Sequence, residues 1–222
     1  MDEQADLALY KKRTYENAMN IAFTQEMARD QVGRKLSMIS CLLAKRFYPD
    51  SYVVLKDEEK LAYNIGRAFK RENLVEFLGK NEAFSPFHFN KFIGQAYLHA
   101  VDANKKVSDV TVTAIVIERP ARFFRFLDEN KESYPMTSIS PGITHIQAGP
   151  LLFQLVECRK LDFEENAWLR SLADPHYNEK ACLRIYSEPC ARGLWSQDSY
   201  YEIYRSKEDV KKHLGSYEGN VW

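Results

Sequence analysis

An α/β fold, a mixed sheet flanked by helices, is what this sequence predicts, and three observations predict it. Strand-like and helix-like segments alternate along the chain. Val110 to Ile117 reads VTVTAIVI, a run whose only polar residues are threonines, as in a central strand covered on both faces. Between that run and an earlier apolar one, Asn73 to Leu78, lies a segment of helical character, which makes the two strands parallel.

In chain order, Ala5 to about Phe47 has no proline and reads as helical. Met19, Ile21, Ala22 and Phe23 supply apolar positions in its first half. Leu36, Met38, Ile39, Leu42, Leu43 and Phe47 recur at intervals of three and four, predicting a helix over about 34–47 after a break at Gly33. Pro49 ends that helix, because the residue before a proline is pushed out of helical dihedrals. Strands are predicted at 52–56, about 63–69 and 73–78, too closely spaced for crossover helices and therefore antiparallel, followed by a turn at Gly79-Lys80-Asn81. Ser85 as a cap and Pro86 at the first helical position, where a missing amide costs nothing, start a helix to about Ala100.

Pro120 starts the next helix, about 121–129, with Phe123, Phe124, Phe126 and Leu127 on its apolar side. Pro141-Gly142 forms a turn between strands near 136–140 and 143–147, and Leu151 to Val156 is a further strand. Asp162 with Glu165 makes a capping-box pair for the helix that carries Trp168, Leu169 and Leu172. Beyond Asp174 the pattern loosens until Ser206 and Asp209 cap a last helix ending near Gly215; Tyr200, Tyr201, Ile203 and Tyr204 are expected to pack this tail on the domain. The organisation is thus N-terminal helices over 1–47, an α/β core over 48–174 and an extension over 175–222.

With 31 basic and 31 acidic residues in 222, the net charge is zero, which argues against constitutive tight binding to nucleic acid while leaving room for a local basic patch. No apolar run reaches the roughly 18 residues of a membrane span, and the charged N-terminus lacks a signal-peptide core, so the expectation is a cytoplasmic protein. Cys41, Cys158, Cys182 and Cys190 form no C-x-x-C pair and read as small buried hydrophobes in a reducing compartment. Five histidines show no metal-ligand spacing, and His88, on the helix after Glu76, reads as an ordinary helix position. A small-molecule enzyme of another kind has little support: the phosphate-binding glycine loops and the G-x-S-x-G turn are absent from the sequence.

Glu76 stands out, as an acidic residue in the apolar run Asn73-Leu74-Val75-Glu76-Phe77-Leu78, where a carboxylate needs water, a basic partner or a metal. Upstream, Tyr48-Pro49-Asp50 leads into the apolar Tyr52-Val53-Val54-Leu55, so two carboxylates are expected to converge at one end of the sheet, facing a cleft open to solvent. This Pro-Asp followed by Glu resembles the metal site of the PD-(D/E)XK nuclease superfamily. The resemblance is closest to its bacterial recombination-promoting nuclease and transposase-like branch. Ile65-Gly66, Phe69-Lys70, Asn73 to Phe77, Phe89-Asn90-Lys91 and Gly94-Gln95-Ala96-Tyr97-Leu98 follow that branch's pattern without a gap. Val110 to Thr113, Arg119-Pro120-Ala121-Arg122, Pro141-Gly142-Ile143 and Glu164 to Leu169 continue it, so the match spans roughly 48–174.

The resemblance implies a restriction-endonuclease-like mixed sheet and a metal-dependent DNA endonuclease of mobile elements or recombination. Asp50, Glu76 and the backbone carbonyl of Phe77 would hold Mg²⁺, a hard cation suited to oxygen ligands, and a metal-bound water would attack a DNA phosphodiester. One departure is decisive for rate: the family's lysine two residues after the glutamate is Leu78. Lys80 in the following turn and Lys91, which falls on the family's helix lysine, are the candidate substitutes. Gapless spacing would put the aspartate position at Ser51; Asp50 requires a one-residue shift within 57–64. The alternative implied by Leu78 and the neutral charge is a catalytically silent module of the same fold that binds DNA or a protein partner.

Overall fold

The computed structural model describes residues 63–79 and 82–173, Leu61, the backbone of 37–38 and 51–54, and Met19, Ala22, Phe23 and Glu26. Among the described residues seven strands form one mixed sheet: β1 (Ser37–Met38), β2 (Ser51–Val54), β3 (Glu72–Leu78), β4 (Val110–Val116), β5 (Met136–Ser140), β6 (Ile143–Ala148) and β7 (Leu151–Glu157). Their spatial order is β1-β2-β3-β4-β7-β6-β5. Among the described residues the continuous α-helices are α1 (Pro86–Asp102), α2 (Ala121–Glu129) and α3 (Ala167–Ala173), and Met19, Ala22, Phe23 and Glu26 are also helical. Among the described residues no helix is long and apolar enough to cross a membrane.

β2 runs antiparallel to β3, while β3, β4 and β7 are mutually parallel. The crossover from β3 to β4 is α1, as a helical connection between parallel neighbours requires. β3 and β4 are buried at every position, so neither can show the alternation of a half-exposed strand. Their alternate side chains instead enter two separate apolar clusters. Leu74, Leu78, Val112, Ala114 and Val116 pack with Phe89, Phe92 and Ala96 of α1 and with Phe123 and Leu127 of α2. Val75, Phe77 and Ile115 pack on the other face with Trp168, Leu169 and Leu172 of α3 and with Met19, Ala22 and Phe23. The sheet is therefore a middle layer with helices on both sides.

Two of the expected elements change. The segment 63–69 is no strand: a 3-10 turn, Gly66–Ala68, follows Tyr63, with Arg67 N donating to Tyr63 O at 2.9 Å and Phe69 N to Gly66 O at 2.9 Å. Its buried residues Leu61, Ile65 and Phe69 are spaced by four, a helical interval, and the Asn64 side chain accepts from Ile65 N at 2.7 Å, the local bonding that favours turns over sheet ladders. The second change lies within 34–47, where Ser37–Met38 is a strand paired with Val54 and Val53. Pairing there covers the open edge of β2, a tertiary demand that overrides a helical pattern. The remainder of 34–47, most of 1–33 and the C-terminal helix predicted before Gly215 lie outside the described residues.

Elsewhere the boundaries agree within a residue or two. Glu165 N donates to Asp162 Oδ1 at 3.0 Å, half of the expected capping box, in a turn that leads into α3. The α3 start is also capped from a distance: the buried Glu26 accepts from Trp168 N at 2.7 Å and Leu169 N at 3.3 Å. Ser85 differs from expectation, since its hydroxyl pairs with His88 Nδ1 at 2.8 Å and makes no side-chain cap. In the β5–β6 turn Gly142 has φ +78°, and a Cβ there would sit 2.8 Å from Glu157 O and from Leu161 N. Gly142→Ala should therefore lower the unfolding free energy by more than about 1 kcal/mol, combining backbone strain with a backbone clash. A thermal melt unchanged from the wild type would contradict this reading of the turn.

Candidate functional site

Glu76 occupies the fifth position of β3, opposite Ala114 of β4, on the face that α1 covers. Strand alternation sets its side chain in line with Leu74 and Leu78, both members of the apolar cluster beneath α1. Glu76 is 8 % exposed, so it does not open into the solvent-filled cleft expected from the sequence. Leu78, where the resemblance calls for lysine, is 3 % exposed within the same cluster. Phe77 points to the opposite face, its ring 6.0 Å from that of Phe23 in an edge-on arrangement.

The register of β2 bears on the second carboxylate. Ser51 pairs with Val75, whose side chain belongs to the opposite face from Glu76. The backbone register thus sets Ser51 level with Val75, one position before Glu76. Glu76, Phe77 and Leu78 extend past this last described β2–β3 pair. Asp50 and Lys80 lie outside the described residues. Lys91 is exposed on α1, its Nζ 5.5 Å from the centre of the Phe92 ring. His88 pairs through Nδ1 with the Ser85 hydroxyl and lies against the ring of Phe84.

Polar groups that the sequence reading passed over also sit beneath α1. Glu72, the first residue of β3, is buried, and its Oε2 lies 3.4 Å from His99 Nε2. Gln95, one helical turn before His99, is buried with its Oε1 unmatched by a hydrogen-bond donor. The signal available in the sequence was the i, i+4 spacing of Gln95 and His99, which puts both on one helix face. Glu72 and Glu76 are four residues apart on one strand, about 13 Å, too far to share a single ion. Among the described residues no group of three or more His, Cys, Asp or Glu side chains is arranged to hold a metal.

A second charged centre marks the C-terminal end of β7. Glu157 is buried and faces two cations: Arg119 Nη1 at 3.2 Å from its Oε1, and Lys160 Nζ at 3.1 Å from its Oε2, the latter an ion pair without hydrogen-bond alignment. Arg119 is fixed by stacking, its guanidinium carbon 3.6 Å from the centre of the Phe124 ring. The cluster accounts for a buried carboxylate by pairing and is structural in character. Cys158, next along the chain, is buried, and burial together with the charge of Glu26 pushes its thiol well above the usual range. Its burial agrees with its reading as a small hydrophobe. Burial also lowers the pKa of Lys70, against the opposing pull of Asp109.

Comparisons with family models, with curated proteins and with solved structures gave no match.

Proposed function

We propose that this chain is a nuclease-like module of the PD-(D/E)XK type whose metal site is degenerate, supporting at most slow, Mg²⁺-dependent cleavage of DNA. The observation that carries the proposal is the placement of Glu76: a carboxylate inside a fully buried strand, with an antiparallel neighbour on one side and a parallel crossover neighbour on the other. That arrangement is the one the resemblance implies for the metal-binding glutamate. Asp50 is the second carboxylate of this reading, and it lies outside the described residues.

The described residues do not by themselves make a metal centre. A Mg²⁺ site would need Asp50 together with Glu76 and the Phe77 carbonyl, and the ion would supply an acidified water and charge shielding at phosphorus. Leu78 supplies neither charge nor a proton acceptor. A silent module that binds DNA or a protein partner is the second reading, and the burial of Leu78 in the apolar cluster favours it. Titration with Mn²⁺ separates the two readings without relying on turnover. The nuclease-type site predicts weak binding that Asp50→Ala and Glu76→Ala each abolish. Binding that survives both substitutions, or no binding to the wild type, would leave the silent module.

A further inference from the structure

The parallel strands β3, β4 and β7 end level with one another, since Leu78 pairs with Val116 and Val116 with Glu157. Ligands of open α/β sheets gather beyond such carboxyl ends. Here that end carries more positive charge than its carboxylates require. Glu157 is answered by both Arg119 and Lys160, although one cation would neutralise it. Arg159 pairs with the exposed Glu118 at 2.9 Å. Arg122, in the first turn of α2, is exposed and forms no ion pair among the described residues. Four cations thus accompany two carboxylates, in a chain whose net charge is zero. Arg119 is also set in place before any ligand arrives. Its guanidinium lies 3.6 Å from the centre of the Phe124 ring, and its Nη1 donates to Glu157 Oε1 at 3.2 Å. The side chain is 48 % exposed, so the rest of its fork of donors is open to a further acceptor.

We propose that Arg119, Arg122 and Lys160 grip the phosphate backbone of duplex DNA. The proposal rests on the reading of this chain as a nuclease-like module that faces DNA, and it names the groups that hold the substrate there. Glu157 continues the alternation of Phe153 and Leu155, so it shares the sheet face of Glu76 and Leu78. Leu78 and Glu157 are two strand spacings apart, about 10 Å. A duplex advances about 3.4 Å per base along each strand, so about three base steps separate a phosphate at the end of β3 from one at the clamp. The planar guanidinium of Arg119 suits a phosphate through paired hydrogen bonds, and Lys160 adds a point charge beside it. The chain's own remaining segments compete poorly for these cations. Residues 174–222 follow Ala173, whose carbonyl oxygen is 3.4 Å from Arg159 Nη2, but they carry eight acidic and seven basic side chains. Residues 1–62 carry ten of each. Neither segment supplies the excess of negative charge that a nucleic-acid backbone does.

Fluorescence anisotropy of a labelled duplex DNA mixed with the full chain, in EDTA so that no cleavage intervenes, tests the clamp. The wild type should bind with an affinity that falls steeply as salt rises, as phosphate contacts demand. Arg122→Gln and Lys160→Gln should each weaken binding about fivefold and lower the salt slope by about one. The pair Arg119→Gln/Glu157→Gln should weaken it to a similar degree although the net charge of the chain is unaltered, a loss that general charge attraction would not give. Thermal melts identify any variant that fails to fold, and the exposed Arg122→Gln should melt as the wild type does. Lys106→Gln, beyond the opposite end of β4, is the control and should bind as the wild type. A wild type that does not bind DNA overturns the proposal and leaves the patch to an acidic protein segment, of this chain or another. Wild-type affinity in the patch variants, or an equal loss in Lys106→Gln, also overturns it. Failure of the nuclease reading looks different: the patch variants lose binding as expected, while the wild type shows no metal-dependent cutting.

Discussion

Phe89→Ala should lower the unfolding free energy by about 3–5 kcal/mol, the largest stability effect expected of any single truncation beneath α1. Phe89 is fully buried at the centre of an aromatic cluster that joins three elements. Its ring centre lies 4.9 Å from that of Phe153 on β7, 5.1 Å from Phe123 on α2 and 5.1 Å from Tyr134, with the Phe153 and Tyr134 contacts edge-on. Edge-on pairs gain beyond the area they bury, so the substitution loses several such contacts as well as opening a cavity. The site has little means of collapsing, because its neighbours are fixed by the sheet and by α2. Denaturant unfolding should show a lower midpoint with an unchanged slope. A loss below about 1 kcal/mol would mean that α1 is anchored by other contacts.

Leu78→Lys carries the second large expectation, and it acts in two directions. The side chain enters an apolar cluster where Leu78 is almost fully buried, so the variant should lose about 2–4 kcal/mol of stability, and burial should lower the pKa of the new amine. Cleavage of DNA should nevertheless rise, by about a hundredfold, because the substitution restores a basic group beside Glu76 to orient the nucleophile or balance charge. Strand alternation is the physical reason for the gain: positions 76 and 78 share a face. A folded Leu78→Lys protein with no increase in cleavage would argue that Glu76 belongs to no catalytic centre.

Much of this architecture was legible because single residues fix it. Pro86 and Pro120 locate the starts of α1 and α2, Gly142 locates the β5–β6 turn, and the unbroken VTVTAIVI run marks the central β4. The parallel pairing of β3 with β4 followed from the helix between them. What was not legible depends on pairing across the sheet. Ser37–Met38 is a strand because β2 has an edge to cover, which no local pattern records. The strand expected at 63–69 is a turn, because Leu61, Ile65 and Phe69 share a burial against Phe23, Phe77 and Trp168 that only the assembled fold displays. For the site, Glu76 was identified by its chemistry, a carboxylate in an apolar run. Its burial emerged from the packing of α1 over β3, and the same packing made Glu72, Gln95 and His99 visible.

Single-turnover cleavage of duplex DNA with Mg²⁺ or Mn²⁺ is the most direct test of the nuclease-like reading. The account predicts slow, weakly sequence-specific cutting by the wild-type protein, its loss on chelation of the metal, and its abolition in Glu76→Ala with the fold retained by circular dichroism. Metal-dependent cutting that persists undiminished in Glu76→Ala would contradict the account, since the activity would then come from some other centre.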